Sequence, residues 1–502
     1  MDAMDWMTGT WCLTLLVLWC SAALLRWRSL AHLRLHGALT LLPALLALVI
    51  LAAVAGGMRA PATSVWLHHW APGWLMASLI LSLAAVIQRF GLRFLLGDSD
   101  QGRALFGLSQ TTIAASLCWL MADTRLLLLA WGVALWSLLQ LIGLTQDWQA
   151  VQRVRWRLMP VFALAWLALA GLLCANGVVN ASWQVAAWQP NRWPVWMQHA
   201  GAALLLLAAL IPAAQWPFQR WLMNSMVAST PVSAIMHAGL VNAGAVMLAL
   251  FGSALTTAGW AQPLLMLMAC GSILLGTGMG LVQVDVKRQL AASTVAQMGA
   301  MLLQCALGAY AAAITHLVLH AGYKASLFLH AGGALQQPHH PPQKTPFRRQ
   351  VAGALLLWLV LAGLSVADAP FSLKHALSAL ILGSALCSVA VSQGARLWQW
   401  RSLLWLAGLT LALVSGQGLS QWLLGTALQA GLAPPATVSN GWIWLAPGVL
   451  TIGTLALEWL RQHPQHVLAR WCYWQLVAAS EADRDTIDPH PAYLARRFGV
   501  MA

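Results

Sequence analysis

Lys324 follows His320 and His316 at four-residue intervals inside an apolar stretch, AITHLVLHAGYKASLFLHAGG. Four-residue steps drift by only about 40° around a helix, so the three side chains share one face. They span roughly 12 Å along the axis. A charged side chain at bilayer depth costs roughly 2.5–3.5 kcal/mol on insertion scales. Imidazole takes up and releases protons near neutral pH through two nitrogens. An amine drawn out of water loses part of its preference for the charged form. Two imidazoles and an amine in one row therefore fit a proton relay with a gate. A histidine alone in a span more often joins helices by hydrogen bonds; three costly groups on one face call for a shared reason.

The elements that carry this row must cross a membrane. The chain has 502 residues, 60% hydrophobic and 8% charged, against about 25% charged in a soluble domain. Apolar stretches near 20 residues long recur at 9–26, 37–57, 74–96, 105–121, 124–144, 159–177, 197–217, 231–253, 262–282, 291–309, 312–332, 351–367, 371–391, 402–426 and 441–460. These are the lengths that a lipid bilayer demands. The expected fold class is an all-α polytopic membrane protein of about 13–15 transmembrane helices. The first apolar run precedes Arg26 and Arg28 rather than a small-residue cleavage site, and reads as a span.

Basic residues orient this layout. With the N-terminus outside, inward loops hold Arg26, Arg28, Arg34, Arg89, Arg93, Arg103, Arg153, Arg155, Arg157, Arg220, Lys287, Arg288, Lys344, Arg348, Arg349, Arg396 and Arg401, and the tail adds more. Outward loops hold Arg59, Arg125 and Arg192. That bias predicts an outside N-terminus and a cytoplasmic C-terminus. It also accounts for the net charge of +14 without nucleic acid. The eight cysteines form no CxxC pair and read as small buried hydrophobes.

Other polar groups are candidates with two readings each. His237, in TPVSAIMHAG, is either a helix-joining group or part of the path. Asp285, with Lys287 and Arg288 at the inner end of the ninth span, is either a path mouth or a topogenic cluster. Lys374 opens the thirteenth span, where it marks an exit site or snorkels to the surface. His339 and His340, in the Pro-rich loop QQPHHPPQKTPFRRQ, fit a solvated linker better than a metal site. The tail beyond Arg461 is polar and suits a partner contact or the membrane surface. Pro212, Pro217, Pro231, Gly322 and Asp368-Ala369-Pro370 mark places where spans can break and expose backbone to an ion. No P-loop, dinucleotide fingerprint or Ser/His/Asp arrangement is present, so neither cofactor nor catalysis is expected in this chain.

The blocks AAQWPFQRWL, STPVSAIMHAGLVNAGAVML, VDVKRQLAASTVAQMG and HLVLHAGYKASLFLHAGG resemble the antiporter-like proton-pumping subunits of respiratory complex I (NADH-quinone oxidoreductase subunit L-like) and of Mrp cation/proton antiporters. The resemblance implies about fourteen core helices with two inverted five-helix repeats and broken helices. It places Lys324, His316 and His320 on the family's proton path, and His237 on its eighth-span histidine. Two positions depart from the pattern. LLLLAWGVALWSLLQ lacks the family's fifth-span glutamate, and Pro212 in LIPAAQ replaces its seventh-span lysine. Lys374 is displaced by one from the family's lysine. The implied organisation is 1–104 as N-terminal helices, 105–253 as a degenerate first half, 262–401 as the second half with the His/Lys path, 402–462 as C-terminal helices and 463–502 as a cytoplasmic tail.

Within that family the wording HAGLVNAG and HAGYKASLFLHAGG is most similar to the membrane (DabB) subunits of DAB inorganic-carbon accumulation systems. The resemblance implies a soluble, cytoplasmic, DabA-like zinc partner related to carbonic anhydrase, and a bacterial inner membrane. The expected role is a cation-conducting subunit whose ion flow drives CO2 hydration in that partner. Protons are expected rather than Na+, which would want oxygen ligands in a chain poor in carboxylates. Two rivals are a proton-pumping subunit of a redox complex and a non-conducting anchor for a soluble enzyme.

Overall fold

The computed structural model describes residues 3–25, 30–58, 67–68, 70–145, 148–332 and 440–482. Every expected span within these residues is a helix or a helix pair. The three at 351–367, 371–391 and 402–426 lie outside them. In chain order the helices are α1 (Ala3–Leu24), α2 (Leu30–Leu39), α3 (Leu41–Ala55), α4 (Ala71–Phe94), α5 (Gln101–Cys118), α6 (Thr124–Ile142), α7 (Gln149–Val179) and α8 (Val195–Leu210). They continue with α9 (Arg220–Asn224), α10 (Thr230–Ala238), α11 (Ala243–Phe251), α12 (Ser253–Thr256), α13 (Ala261–Val282), α14 (Val286–Ala306) and α15 (Tyr310–His330). After the undescribed stretch come α16 (Asn440–Gln462) and α17 (Val467–Ser480).

The long helices alternate in direction, so their loops gather at two ends. At one end, His68 N donates to Leu120 O at 2.7 Å, Val185 N to Ala122 O at 2.8 Å and Trp188 Nε1 to Ser253 Oγ at 2.7 Å. At the other, here the basic end, Lys287 Nζ donates to Ala228 O at 3.0 Å and Gln283 Nε2 to Ser480 Oγ at 2.6 Å. Arg89, Arg93, Arg103 and Arg155 belong to this end.

Burial separates core from lipid-facing helices. Of the most apolar window in Thr230–Phe251, 94% is buried, against 28% in His32–Ala55. The α10–α11 pair is therefore the central post of the bundle, and α2–α3 lie at its rim. Exposed Leu42, Leu45, Leu48 and Val49 on α3 suit lipid rather than water. Small residues bring the core helices close. A Cβ on Gly276 of α13 would stand 2.5 Å from Ala296 N and 2.8 Å from Ala292 O of α14.

Three local features position the site. Pro231 enters the first turn of α10, where its missing N–H costs nothing. The helix stops at Gly239, and a 3-10 turn over Leu240–Asn242 leads into α11. The eighth span is thus broken in its middle. The seventh ends at Leu210, where Pro212 cannot continue the hydrogen-bond ladder. By contrast, Gly322 lies inside the unbroken α15 with nothing near its missing Cβ. The break that its glycine allowed does not occur, because every neighbouring residue keeps helical hydrogen bonding without strain.

The tail beyond Arg461 is not merely polar. Residues Val467–Ser480 form α17, which buries Ala469 and Ser480 and packs Leu476 on α13 and the core. Glu458 of α16 pairs with Arg461 at 2.7 Å.

Asp123 caps α6, accepting from Arg125 N at 2.8 Å and from the Arg125 guanidinium at 2.7 and 3.1 Å. Those hydrogen bonds from Arg125 hold its carboxyl below the usual range, against the opposing effect of burial. Asp123→Ala is expected to cost about 1 kcal/mol of stability. A carboxyl depressed on folding contributes fully above its unfolded pKa, about 3.9, and the contribution disappears as pH falls through the lower folded value. Thermal melts in detergent should therefore show the wild-type advantage over Asp123→Ala shrinking in acid; a gap independent of pH would contradict this cap.

Candidate functional site

The row read from the sequence faces inward. His316, His320 and Lys324 are 3%, 5% and 2% exposed, and Phe328 completes the face one turn later. α15 turns this face to α14 and α10, whereas Leu319 and Tyr323 point away from the core.

Lys324 is held by α14. Its Nζ donates to Leu290 O at 2.9 Å and to Ser293 Oγ at 2.5 Å. Two neutral acceptors satisfy an ammonium only in part, since it has three donors. No carboxylate among the described residues makes an ion pair with it within 4 Å. A full carboxylate pair would fix the charge in place. Neutral acceptors leave the proton able to depart.

His316 lies about two turns further from the basic end. Its Nε2 is 2.9 Å from Gln297 Oε1, and its Nδ1 is 3.2 Å from Gln304 Oε1. The His316 and His320 rings are 6.5 Å apart, centre to centre. Neither ring nitrogen of His320 has a hydrogen-bond partner among the described residues. His320 is the middle of the row, between His316 and Lys324 on one face of α15. Its nitrogens are ready for whatever passes between His316 and Lys324.

The structure brings His237 to the same place. It is the next-to-last residue of α10, fully buried, just before the break. Its Nδ1 is 3.1 Å from Thr294 Oγ1 of α14, and its ring stacks on Phe328 at 4.3 Å. Its Nε2 has no partner among the described residues.

Asp285 stands apart from the row. It caps α14, accepting from Lys287 N at 2.9 Å, with Arg288 at 3.8 Å and half its side chain exposed. It lies five residues before Leu290, or about 7 Å along the helix. Asp285, Lys287 and Arg288 thus lie at the basic end of the helix that holds Lys324. Lys374, His339 and His340 fall outside the described residues. Among the described residues, no group of three or more His, Cys, Asp or Glu side chains is placed to hold a metal.

Sequence reasoning missed the partner helix. Ser293, Thr294, Gln297 and Gln304 of α14, with Leu290 O, supply the hydrogen-bond partners of Lys324, His237 and His316. The available signal was their spacing: 293, 297 and 304 return to one face of an otherwise apolar helix. Gln297→Leu should leave His316 Nε2 unpaired and slow any transport through the row, at little cost in fold. A variant with unchanged ion flux would remove Gln297 from the site.

In the first half, residues 127–139 of α6 hold no ionisable side chain. Trp166 Nε1 donates to Leu128 O at 2.9 Å and its ring crowds Gly132. Beyond Pro212, the Gln215 amide donates to Ala213 O at 2.7 Å and Val295 O at 3.2 Å, joining this half to α14.

Comparison with known proteins follows this geometry. Residues 122–396 match the family described as NADH:quinone oxidoreductase/Mrp antiporter, transmembrane. The chain is 38% identical over 475 residues, 92% of each chain, to the probable inorganic carbon transporter subunit DabB of Bacillus subtilis. It is 36% identical over 438 residues, 84% of each chain, to the protein of that name in Bacillus anthracis. It is 32% identical over 272 residues to NADH-quinone oxidoreductase subunit L of Mycobacterium tuberculosis, covering 52% of this chain and 42% of that one. Among solved structures, the Mrp complex from Dietzia sp. DQ12-45-1b aligns with a TM-score of 0.64 and 22% identity, over 98% of this chain and 59% of that chain. That likeness concerns the fold alone.

Proposed function

Because the chain belongs to the NADH:quinone oxidoreductase/Mrp antiporter transmembrane family, we propose that it is the proton-conducting membrane subunit of an inorganic carbon transporter. The observation that carries this reading is Lys324. It is a buried amine, held by a carbonyl and a hydroxyl, in line with two buried imidazoles. Protons pass His316, His320 and Lys324, with His237 beside the gate and Asp285 near the basic end. Lys374 is assigned an exit role on sequence grounds. The first half lacks the family's fifth-span glutamate and seventh-span lysine, so in this reading it is disabled or rebuilt.

The basic end faces the cytoplasm of a bacterial inner membrane in this reading, following the distribution of arginine. The relatives named as inorganic carbon transporter subunits support a partner subunit; in this reading it is soluble, DabA-like and cytoplasmic, and the zinc and the CO2 hydration belong to it. One elementary charge crossing 100 mV releases about 2.3 kcal/mol. A few charges would bias hydration toward bicarbonate if the partner's site opens only as ions pass.

The test is ion flux in proteoliposomes holding this chain with and without the protein encoded beside it. Proton flux that needs Lys324 and is tightened by the partner is the expected result. Flux of Na+ in place of H+ would overturn the proton assignment. Absence of any flux in the assembled complex would leave a membrane anchor. Co-purification with iron–sulfur subunits would indicate a redox pump instead.

A further inference from the structure

A second buried histidine lies outside the row. His36 of α2 is 0% exposed and sits in a closed polar cluster drawn from four helices. Its Nδ1 is 3.2 Å from Ser21 Oγ of α1, and its Nε2 is 2.8 Å from Gln88 Oε1 of α4. The Gln88 amide then donates to Ser109 Oγ of α5 at 3.1 Å, and Ser109 Oγ is 3.4 Å from His36 Nε2. Ser21, Gln88 and Ser109 are all buried.

The chemistry of these neighbours is unusual for a histidine that only joins helices. A hydroxyl both donates and accepts, and an amide presents a donor or an acceptor by turning over. In the neutral ring, Nε2–H donates to Gln88 Oε1 and Nδ1 accepts from the Ser21 hydroxyl. In the charged ring, Nδ1–H donates to Ser21 Oγ and Nε2–H keeps Gln88. Neither state leaves a buried polar group unsatisfied, so taking up a proton costs the burial of its charge but no lost hydrogen bond. His237 and His316 of the row also meet hydroxyl or amide groups, whereas two histidines nearer the surface differ. Nδ1 of His330 faces Ser326 O at 2.8 Å, and Nδ1 of His463 faces Trp459 O at 2.9 Å; a carbonyl only accepts.

The cluster also lies within reach of one face of the membrane. Ser21 is three residues from the end of α1, His36 six from the start of α2, Gln88 six from the end of α4 and Ser109 eight from the start of α5. At 1.5 Å per residue these are depths of about 5 to 12 Å from the basic end. The charged groups on the packed elements are His32 and Arg34 on α2, Arg89 and Arg93 on α4, and Arg103 on α5, with Asp98 and Asp100 in the α4–α5 turn. No charged side chain lies on α3, nor on α1 beyond Asp5. Mostly basic surroundings favour release of an extra proton once it is bound.

α4 connects this cluster to the Lys324 row. It carries Gln88 toward His36, and its Leu79 and Leu83 pack on Ala321 and Ala325 of α15. We propose that His36 is a second proton-binding site, filled from the basic end and emptied during transport. It stands among the N-terminal helices, outside both antiporter-like halves. This inference rests on the conducting role assigned above.

The experiment measures proton flux against pH in proteoliposomes of the complex with its partner, for wild type, His36→Gln, Gln88→Glu and Lys324→Ala. Glutamine keeps a donor and an acceptor but cannot carry a proton. His36→Gln is expected to retain its melting temperature and lose flux by about tenfold or more. Gln88→Glu sets a carboxylate beside the ring and is expected to move the flux profile to higher pH. Wild-type flux in His36→Gln overturns the proposal. Should that variant fail to assemble, an unchanged profile in Gln88→Glu overturns it equally. Full flux in Lys324→Ala would instead defeat the conducting role itself, whatever His36 does.

Discussion

Lys324→Arg is expected to abolish transport as completely as Lys324→Ala. Both should fail to rescue growth in air of a host lacking carbonic anhydrase. The pair separates charge from titration. Arginine keeps the positive charge but does not deprotonate in proteins, so it can occupy the gate and never open it. Alanine leaves Leu290 O and Ser293 Oγ without their donor and interrupts the row between His320 and the basic end. Loss of a positioned acid–base group costs about a hundredfold or more in rate. Flux in proteoliposomes should fall by that much in both variants while the complex still purifies intact. Flux retained by the arginine variant would mean that Lys324 acts as a fixed charge, and the gating role would be wrong.

Gly276→Leu is expected to prevent assembly, and Gly276→Ala to weaken it. The side chain would enter the contact between α13 and α14, where the nearest atoms are backbone: Ala296 N, Ala292 O and Ala296 Cα at 2.5 to 3.0 Å. Backbone cannot step aside as a flexible side chain does. Overpacking of this kind costs about 1–3 kcal/mol even for small additions. The displaced helix is the one that carries Ser293, Thr294 and Gln297, so residual protein should also conduct poorly. Gly271 and Gly280 lie on the same helix with nothing within 4 Å. Alanine at either should leave melting temperature and flux unchanged. Equal damage at all three positions would point to helix flexibility rather than to close packing.

The parts of this architecture visible in the sequence are those that repeat locally. Span positions follow from runs of apolar residues near the bilayer's thickness, and each described run is helical. The row at 316, 320 and 324 was visible because its spacing matches the helix and its cost in lipid is high. The partner groups on α14 were not, because Ser, Thr and Gln cost little on their own and acquire meaning only opposite another helix. His36 was obscure for the same reason: Ser21, Gln88 and Ser109 are 15 to 73 positions away from it. The helix at Val467–Ser480 was hidden in a tail whose average composition is polar, although Trp471, Tyr473 and Trp474 break that average. Breaks were harder still. Gly239 ends a helix and Gly322 does not, although both are single glycines in apolar spans.

The interruption between Ala238 and Ala243 leaves a helix C-terminus in the middle of the protein, directly after His237. The Gly239 amide closes on Ile235 O at 2.9 Å, and the last turn of α10 carries the negative end of its peptide dipoles, up to roughly half a charge. This places an electronegative helix end beside the proposed cation route without a carboxylate. Such a spot attracts a passing proton yet, unlike an ionised acid, can neither bind it covalently nor be neutralised by it. A backbone counter-charge of this sort keeps the same strength at every stage of the cycle.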